Sequence, residues 1–247
     1  MPRYNYNHKI LITGCGCSGT EFITKFLSKA GLPLGHDAYM GKYGIASWGL
    51  AAQTDDVLWG PKYSSYKFRP ILHQVRFPLN CISSIRLFSL ESWEYIEKNI
   101  SIKKSDSPLL NSMKYWHLWN KKAEKISAWT YKIEDLKENL EQFCDEIGYP
   151  ELWSKNGSRA VDLMEILEKT PKKVGSRWRY LVNKFNKPIK YGKHHSRSSK
   201  DRWVETDTIE RYNNLFKKKL TWEDLHKEDA SLTEKIKNQA KQYGYEI

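Results

Sequence analysis

A glycine-rich segment near the start of the chain has the composition of an anion-binding loop. It reads GCGCSGT at 14–20 and is called the glycine loop here; an apolar run, HKILIT at 8–13, precedes it, and an amphipathic segment, TEFITKFLSKA at 20–30, follows it. Small residues allow the backbone to curl so that successive N–H groups converge on one anion, and the start of a helix adds partial positive charge. The hydroxyl groups of Ser18 and Thr20 add donors. This pattern predicts binding of a phosphate or sulfate group; an ordinary glycine turn of an α/β protein is the alternative.

The glycine loop departs from the G-x-x-x-x-G-K-[ST] pattern of ATP-binding loops at two functional positions. Gly14 and Gly19 match the glycines of that pattern, but Thr20 stands where it has lysine. Glu21 stands where the pattern has a hydroxyl residue for magnesium. Both departures disfavour a small-molecule or nucleotide kinase, which stays an alternative function.

Two further segments contain residues suited to phosphate binding and to proton transfer. A second apolar run, PILHQVR at 70–76, ends on Arg76, whose guanidinium fork suits a terminal phosphate. His36 and Asp37 follow the first predicted helix, and an imidazole or a carboxylate can act as a general base toward a hydroxyl group. With equal weight, such short polar residues cap or anchor a loop. His73, inside the second apolar run, is expected to be a buried histidine with satisfied hydrogen bonds.

These segments resemble two motifs of the sulfotransferase family, whose donor is 3′-phosphoadenosine 5′-phosphosulfate. The residues CSGT at 17–20 resemble the family's first motif, a loop that follows the first strand. Arg76, with Pro78 after it and Ser84 eight residues further along the chain than the arginine, resembles the second motif. The segment YKIEDL at 131–136 resembles a third, a strand end. The resemblance implies a P-loop-containing three-layer α/β fold with a central, mainly parallel sheet flanked by helices.

The resemblance also implies a donor site and a reaction. In the family, the arginine and the serine of the second motif hold the 3′-phosphate of the donor, and a basic loop that ends near a tryptophan, here Trp203, closes over it. The implied reaction moves a sulfuryl group to a hydroxyl of a carbohydrate or small-molecule acceptor without a metal, with Asp37 as the first candidate for general base and His36 as the second. The residues implied to bind the donor are Cys15, Gly16, Cys17, Ser18, Gly19, Thr20, Arg76, Ser84, Ser196 and Arg197.

One departure from the family pattern concerns the charge of the glycine loop. The family usually has Lys or Arg directly before Ser-Gly-Thr, and this chain has Cys17 there. Lys25, Lys193 and Arg197 are the candidates to replace that cation. A protein that binds the donor but does not transfer the sulfuryl group is therefore a further alternative.

Predicted strands alternate with predicted helices, which favours a parallel sheet covered by helices on both faces. One domain over 1–247 is expected, with 31–66 and 91–107 as acceptor-side or surface excursions. The strands are predicted at 8–13, 70–76 and 128–133, and the helices at 20–30, 80–90, 109–126, 134–147, 221–225 and 231–243.

The charge of the chain favours an anionic partner. Lys and Arg total 41 against 29 Asp and Glu, which gives a formal net charge of +12. A polyphosphorylated nucleotide fits this charge. No nucleic-acid partner is expected, because the basic residues are spread along the chain and form no recognised nucleic-acid-binding motif. A basic nucleic-acid-binding protein without catalysis stays the alternative.

The number of cysteines and the hydropathy of the chain indicate its cellular compartment and whether it binds a metal. Four cysteines are too few for a disulfide framework, and the pair at 15 and 17 lacks the partner spacing of a structural zinc site. No apolar run reaches the length of a membrane span, and the N-terminus lacks the apolar region of a signal peptide. The sequence thus predicts a cytoplasmic protein without a membrane span or a bound metal.

Overall fold

In the computed structural model, which describes residues 8–86, 88–103, 105–154 and 219–247, the described strands form one all-parallel sheet. In chain order they are β1 (Lys9–Thr13), β2 (Gly35–His36), β3 (Gly44–Ala46), β4 (Phe68–Val75) and β5 (Trp129–Lys132). They lie side by side in the order β2-β3-β1-β4-β5, so β1 is at the centre between β3 and β4. The parallel sheet predicted from the alternating elements is confirmed.

Helices flank both faces of the sheet. In chain order the described helices are α1 (Thr20–Lys29), α2 (Pro78–Ile85), α3 (Leu90–Asn99), α4 (Pro108–Ile126), α5 (Leu140–Glu146), α6 (Glu151–Ser154), α7 (Trp222–Glu228) and α8 (Ala230–Gln242). Leu72 of β4 packs in a hydrophobic cluster with residues of α1 and α5, whereas the next side chain, His73, contacts Asn120 of α4. Successive side chains of a strand point to opposite faces of its sheet. The helices α1 and α5 therefore cover one face, and α4 covers the other.

The core on the α4 face is rich in aromatic side chains. Trp116 and Trp119 of α4 are fully buried, and Tyr95 of α3 is nearly so. The ring of Trp48, which follows β3, lies 5.6 Å from the rings of both Tyr95 and Trp119, measured between centroids. Packing in this cluster accounts for much of the tryptophan content of the chain.

The strand order creates a crevice beside β1. The connection after β1 leads through α1 to β2 on one side, and the connection after β4 leads through α2, α3 and α4 to β5 on the other side. In open parallel sheets, ligands bind outside the carboxyl ends of the strands where the connections diverge in this way. The fold by itself thus points to the space between the carboxyl ends of β1 and β4.

The structure differs from the prediction in two short strands and in the segment 91–107. The sequence predicts neither β2 nor β3, because strands of two and three residues contain no apolar run long enough to detect. The segment 91–107, expected to be an excursion, contains most of α3 and contributes the buried side chains of Tyr95 and Ile96 to the core.

The helix predicted over 134–147 begins only at Leu140. The preceding residue Glu134 is held at the end of β5 instead, since its carboxylate accepts hydrogen bonds from the Phe77 N–H and the Tyr245 hydroxyl. Tertiary contacts thus override the local helical preference at this point.

The described residues all belong to one structural unit. The expectation of a single domain also concerns 155–218, which lie outside the described residues. Among the helices that the structure describes, none is both long and apolar enough to cross a membrane.

Candidate functional site

Three of the segments singled out in the sequence lie along the carboxyl edge of the sheet. The glycine loop follows β1, Asp37 follows β2, and Arg76 follows β4. Because the strands are parallel, the segments that follow them meet at the same edge. The fold therefore gathers the predicted phosphate-binding and proton-transfer residues around one crevice.

The first half of the glycine loop is fixed to α4 by two backbone N–H groups. The Cys15 N–H donates to Asn120 Oδ1 at 3.1 Å, and the Gly16 N–H donates to the Tyr115 hydroxyl at 2.9 Å. Asn120 and Tyr115 are fully buried. Buried N–H groups need such partners, and these two are already engaged. A bound anion would therefore be held by later residues of the loop.

Gln74 of β4 holds the middle of the loop. Its Nε2 donates to the Ser18 carbonyl at 2.9 Å, and its Oε1 accepts from the Tyr131 hydroxyl of β5 at 2.6 Å. The backbone of the same residue closely approaches Gly14, where a Cβ atom would lie 2.1 Å from the Gln74 carbonyl oxygen. Only glycine allows the loop to leave β1 this close to β4.

The second half of the loop has the backbone features of an anion site. Cys17 and Gly19 both have positive φ, at 66° and 105°. Left-handed residues next to right-handed ones curl successive N–H groups toward one side. Gly19 also caps α1, and no side chain in the described part of the chain caps this helix start. The N–H groups of the first turn therefore keep their partial positive charge available.

The hydroxyl group of Ser18 is buried directly before the start of α1. Ser18 is completely buried, and its Oγ atom has no hydrogen-bond partner among the described residues. Buried polar groups in proteins are satisfied by protein, water or ligand in the great majority of cases. The Ser18 hydroxyl is thus a donor placed beside a helix start and suited to a bound oxyanion.

Arg76 brings positive charge to the same place. Its Nη1 donates to the Cys17 carbonyl at 3.1 Å, which joins β4 to the glycine loop across the crevice. The next residue, Phe77, is held through its N–H by Glu134 Oε1 at 2.8 Å. The guanidinium has five N–H donors in all, so further donors are available to a ligand beside the loop.

His36 contacts the glycine loop from its other side, and Asp37 contacts His36. The His36 Nε2 lies 3.1 Å from the Thr20 hydroxyl and 3.5 Å from Asp37 Oδ2. The side chains of His36 and Asp37 are 21% and 17% exposed, so both remain reachable from solvent. Asp37 has φ 45°, a left-handed conformation that aspartate adopts more readily than most residues. The start of α1 therefore has a hydroxyl, an imidazole and a carboxylate close to one another, from Thr20, His36 and Asp37.

Other predicted site residues are not drawn into this cluster. Ser84 lies on α2, where its hydroxyl donates to the Asn80 carbonyl at 3.0 Å, and no described contact joins it to the loop. Lys25 forms an exposed ion pair with Glu21 at 2.7 Å, one turn into α1. The remaining candidates, Lys193, Ser196, Arg197 and Trp203, lie outside the described residues.

The residues that hold the glycine loop, Asn120, Tyr115 and Gln74, were not predicted from the sequence. His73 is buried, as expected, and its two ring nitrogens each lie 3.1 Å from a partner, Thr130 Oγ1 and Asn120 Oδ1. Burial lowers the pKa of His73 to about 4, so the ring is neutral near pH 7. Because Asn120 Oδ1 can only accept, the proton is assigned to Nε2. Polar residues inside an apolar strand, His73 and Gln74, were the available signal, although it does not name their partners.

Among the described residues, no group of three or more His, Cys, Asp or Glu side chains is placed to hold a metal ion. No protein-family model matches the chain, and neither does any curated protein or solved structure. Fold and site together define an α/β protein with an all-parallel sheet and a candidate anion site at the carboxyl end of its central strand.

Proposed function

We propose that this protein is a sulfotransferase that binds 3′-phosphoadenosine 5′-phosphosulfate at the glycine loop and transfers the sulfuryl group to a hydroxyl of a carbohydrate or small-molecule acceptor. One observation carries the proposal: Arg76 contacts the loop at Cys17 from the β4 side, while His36 contacts it at Thr20 from the β2 side. A cation suited to phosphate and a pair of candidate bases therefore flank the same helix start.

The residues present fit an anionic donor. The buried Ser18 hydroxyl and the uncapped start of α1 supply donors and partial positive charge to an oxyanion. Since Asn120 and Tyr115 occupy the N–H groups of Cys15 and Gly16, the donor would be held by residues 17–21, with Arg76 beside them. The adenosine bisphosphate part supplies the phosphates to be bound, and the activated sulfuryl group is what the reaction transfers.

Arg76 also supports the proposal at the position where the family pattern is broken. This chain has Cys17 where the family usually has a lysine or an arginine. The Arg76 guanidinium donates to the carbonyl of that same residue at 3.1 Å. Arg76 therefore supplies positive charge to the bound donor beside the residue at which the family pattern has its cation.

On the acceptor side, Asp37 would take the proton of the attacking hydroxyl group. A general base must lie within reach of that proton, and Asp37 borders the loop through its contact with His36. His36, which also contacts Thr20, would orient Asp37 and the start of α1 relative to each other.

The test is calorimetric titration with adenosine 3′,5′-bisphosphate and, separately, with ATP and magnesium. The proteins compared are the wild type, Arg76→Ala and Arg69→Ala. Arg69 lies on the same strand but is exposed near its amino end, which makes it a matched control. We expect the wild type and Arg69→Ala to bind the bisphosphate, ATP to bind weakly, and Arg76→Ala to lose at least about tenfold in affinity, because a charge-assisted contact is removed.

Absence of bisphosphate binding by the wild type would overturn the proposal. Tight binding of ATP with magnesium in its place would favour a kinase. If the protein binds neither nucleotide but binds RNA or DNA with a strong dependence on salt, a nucleic-acid-binding protein would be favoured.

A further inference from the structure

Two buried thiols lie in contact, one in the glycine loop and one on α2. The Sγ atoms of Cys15 and Cys81 are 3.2 Å apart, and both residues are reduced cysteines. Each thiol also lies within hydrogen-bonding range of the Gly16 carbonyl, at 3.4 Å from Cys15 and 3.3 Å from Cys81. The two sulfur atoms are therefore held side by side by a shared acceptor, although 66 residues separate them in the chain.

The pair joins the two halves of the candidate site. Cys15 is in the glycine loop, and Cys81 is on α2, between Arg76 and Ser84. A bond between these sulfur atoms would fasten the loop that follows β1 to the helix that follows β4. A single covalent link at this place would join the two segments proposed to bind the donor.

We propose that Cys15 and Cys81 form a redox-active dithiol, and that its oxidation by a peroxide to a disulfide weakens anion binding at the glycine loop. The identity of the anion as the donor nucleotide rests on the proposed function. Formation of the disulfide itself does not.

The reaction proceeds in two balanced steps. One thiol gives up its proton, and the resulting thiolate attacks an oxygen of hydrogen peroxide; the S–O bond forms as the O–O bond breaks, and the leaving hydroxide takes up that proton to give water and a sulfenic acid. The second thiol then attacks the sulfenic sulfur, the S–S bond forms, and the hydroxyl group leaves as a second water. The two sulfur atoms are oxidised, and the peroxide takes up both electrons. Because the second sulfur is already in contact, this step competes well with further oxidation.

Forming the bond must move the loop or α2. A disulfide brings its sulfur atoms to about 2 Å, so the two sulfurs must approach by more than 1 Å. The loop cannot absorb this shift easily, since the Cys15 and Gly16 N–H groups are bonded to Asn120 and Tyr115. Either those bonds are disturbed or the start of α2 moves, and in both cases the loop and Arg76 change their relative position.

Burial makes the reaction sensitive to the occupancy of the site. Cys15 is 1% exposed and Cys81 is fully buried, so a peroxide reaches them only when the loop opens. Burial also raises the pKa of Cys81, which disfavours the reactive thiolate while the loop is closed. A ligand that holds the loop closed would therefore protect both thiols.

The experiment treats the reduced protein with hydrogen peroxide and maps its peptides by mass spectrometry without reduction. We expect a cross-linked peptide that contains Cys15 and Cys81 and whose mass is two hydrogen atoms below the sum of the two reduced peptides. This peptide should form more slowly in the presence of the bisphosphate, and it should disappear on treatment with dithiothreitol. Affinity for the bisphosphate should fall about tenfold on oxidation and return on reduction. Cys81→Ala should bind the bisphosphate but lose its sensitivity to peroxide, and Cys144→Ala, which removes another buried thiol, should stay sensitive.

The outcomes separate this inference from the proposed function. If peroxide leaves both thiols free, or links a different pair such as Cys15 with Cys17, the inference is wrong. It is also wrong if the cross-linked protein binds the bisphosphate as tightly as the reduced protein. If Cys15 and Cys81 become cross-linked in a protein that never binds the bisphosphate, the redox-active dithiol is supported and only the proposed donor site is contradicted. In that case, faster amide hydrogen exchange over 14–20 after cross-linking would support the effect of the disulfide on the loop.

Discussion

At the scale of single residues, the contact between His36 and Thr20 links the proposed acceptor side to the proposed donor side. Thr20 is the first residue of α1, and the Nε2 atom of His36 contacts both its hydroxyl and the Asp37 carboxylate. A side chain that removes a proton and one that only supports the loop differ in their kinetic effect. The two candidate bases can therefore be told apart by substitution.

Asp37→Asn is expected to lower the rate of sulfuryl transfer by about 100-fold or more while leaving the affinity for adenosine 3′,5′-bisphosphate within about twofold, since the amide cannot accept the proton. His36→Gln should have the smaller effect on rate, because an amide can still bond to Thr20. Release of bisphosphate from the donor, in the presence of an acceptor found by screening, measures the rate. Equal loss of rate and affinity in Asp37→Asn would assign Asp37 to the support of the loop.

His73 should make stability dependent on pH. Its pKa is about 4 in the folded protein against an ordinary value of 6.5, because burial disfavours the charged ring. Between these values the unfolded chain holds more protons, so the free energy of unfolding falls as the pH is lowered from 6.5 toward 4 and is fully retained above 6.5. The expected contribution is about 3 kcal/mol at most.

Urea denaturation between pH 7 and pH 4 measures this contribution. His73→Gln should show a flatter decline than the wild type, and His226→Gln, which changes an exposed ring, should follow the wild type. The pKa of His117 is also lowered by burial, but this histidine is present in all three proteins and cancels in the comparison. Identical slopes for wild type and His73→Gln would show that His73 is not buried in its neutral form.

At the scale of elements, the position of the glycine loop depends on the close approach of β1 and β4. Gly14 lies directly against the backbone of Gln74, and the Gln74 side chain bonds to Ser18 in the same loop. One residue of β4 therefore fixes both the entry into the loop and its middle. Backbone pressed against backbone leaves little room to relax.

Gly14→Ala is expected to lower the free energy of unfolding by about 3 kcal/mol, because the added Cβ would force β1 and β4 apart. Gly49→Ala is the matched control, since the nearest atom to its added Cβ lies 3.8 Å away, which is ordinary van der Waals contact. Chemical denaturation of both variants checks the difference. A Gly14→Ala protein as stable as Gly49→Ala would contradict the close approach.

At the scale of the whole molecule, the net charge of +12 suits an anionic ligand without defining it. The structure adds a candidate site for such a ligand at the carboxyl edge of the sheet. A ligand that binds there and not to the unfolded chain must stabilise the fold. Stability therefore reports occupancy independently of any acceptor.

Adenosine 3′,5′-bisphosphate at about 100 times its dissociation constant is expected to raise the unfolding temperature of the wild type by about 5–10 °C, as follows from about 2.7 kcal/mol of linked stabilisation in a chain of this size. Arg76→Ala should show a much smaller rise at the same concentration, and Arg69→Ala an unchanged one. Differential scanning fluorimetry provides the measurement. Equal rises in wild type and Arg76→Ala would place the bound nucleotide away from Arg76.

The sequence determined those parts of the molecule that depend on neighbours in the chain. Apolar runs that end in glycines or in Arg76 predicted β1 and β4, and helical spacing of apolar residues predicted α1 and α4, because burial of one face imposes a local period. The position of the glycine loop between β1 and α1 was predictable for the same reason, and its role in anion binding stays a prediction. The alternation of these elements was enough to predict a parallel sheet.

Only the tertiary structure decided which distant residues meet. Asn120 and Tyr115 reach the glycine loop from positions 105 and 99 residues away, and Cys81 reaches Cys15 from 66 residues away. The contact of His36 with Thr20 depends on β2, a strand of two residues that exists because β3 pairs with it. Such contacts are set by strand order and helix packing, which minimise the free energy of the whole chain, and no local spacing in the sequence encodes them.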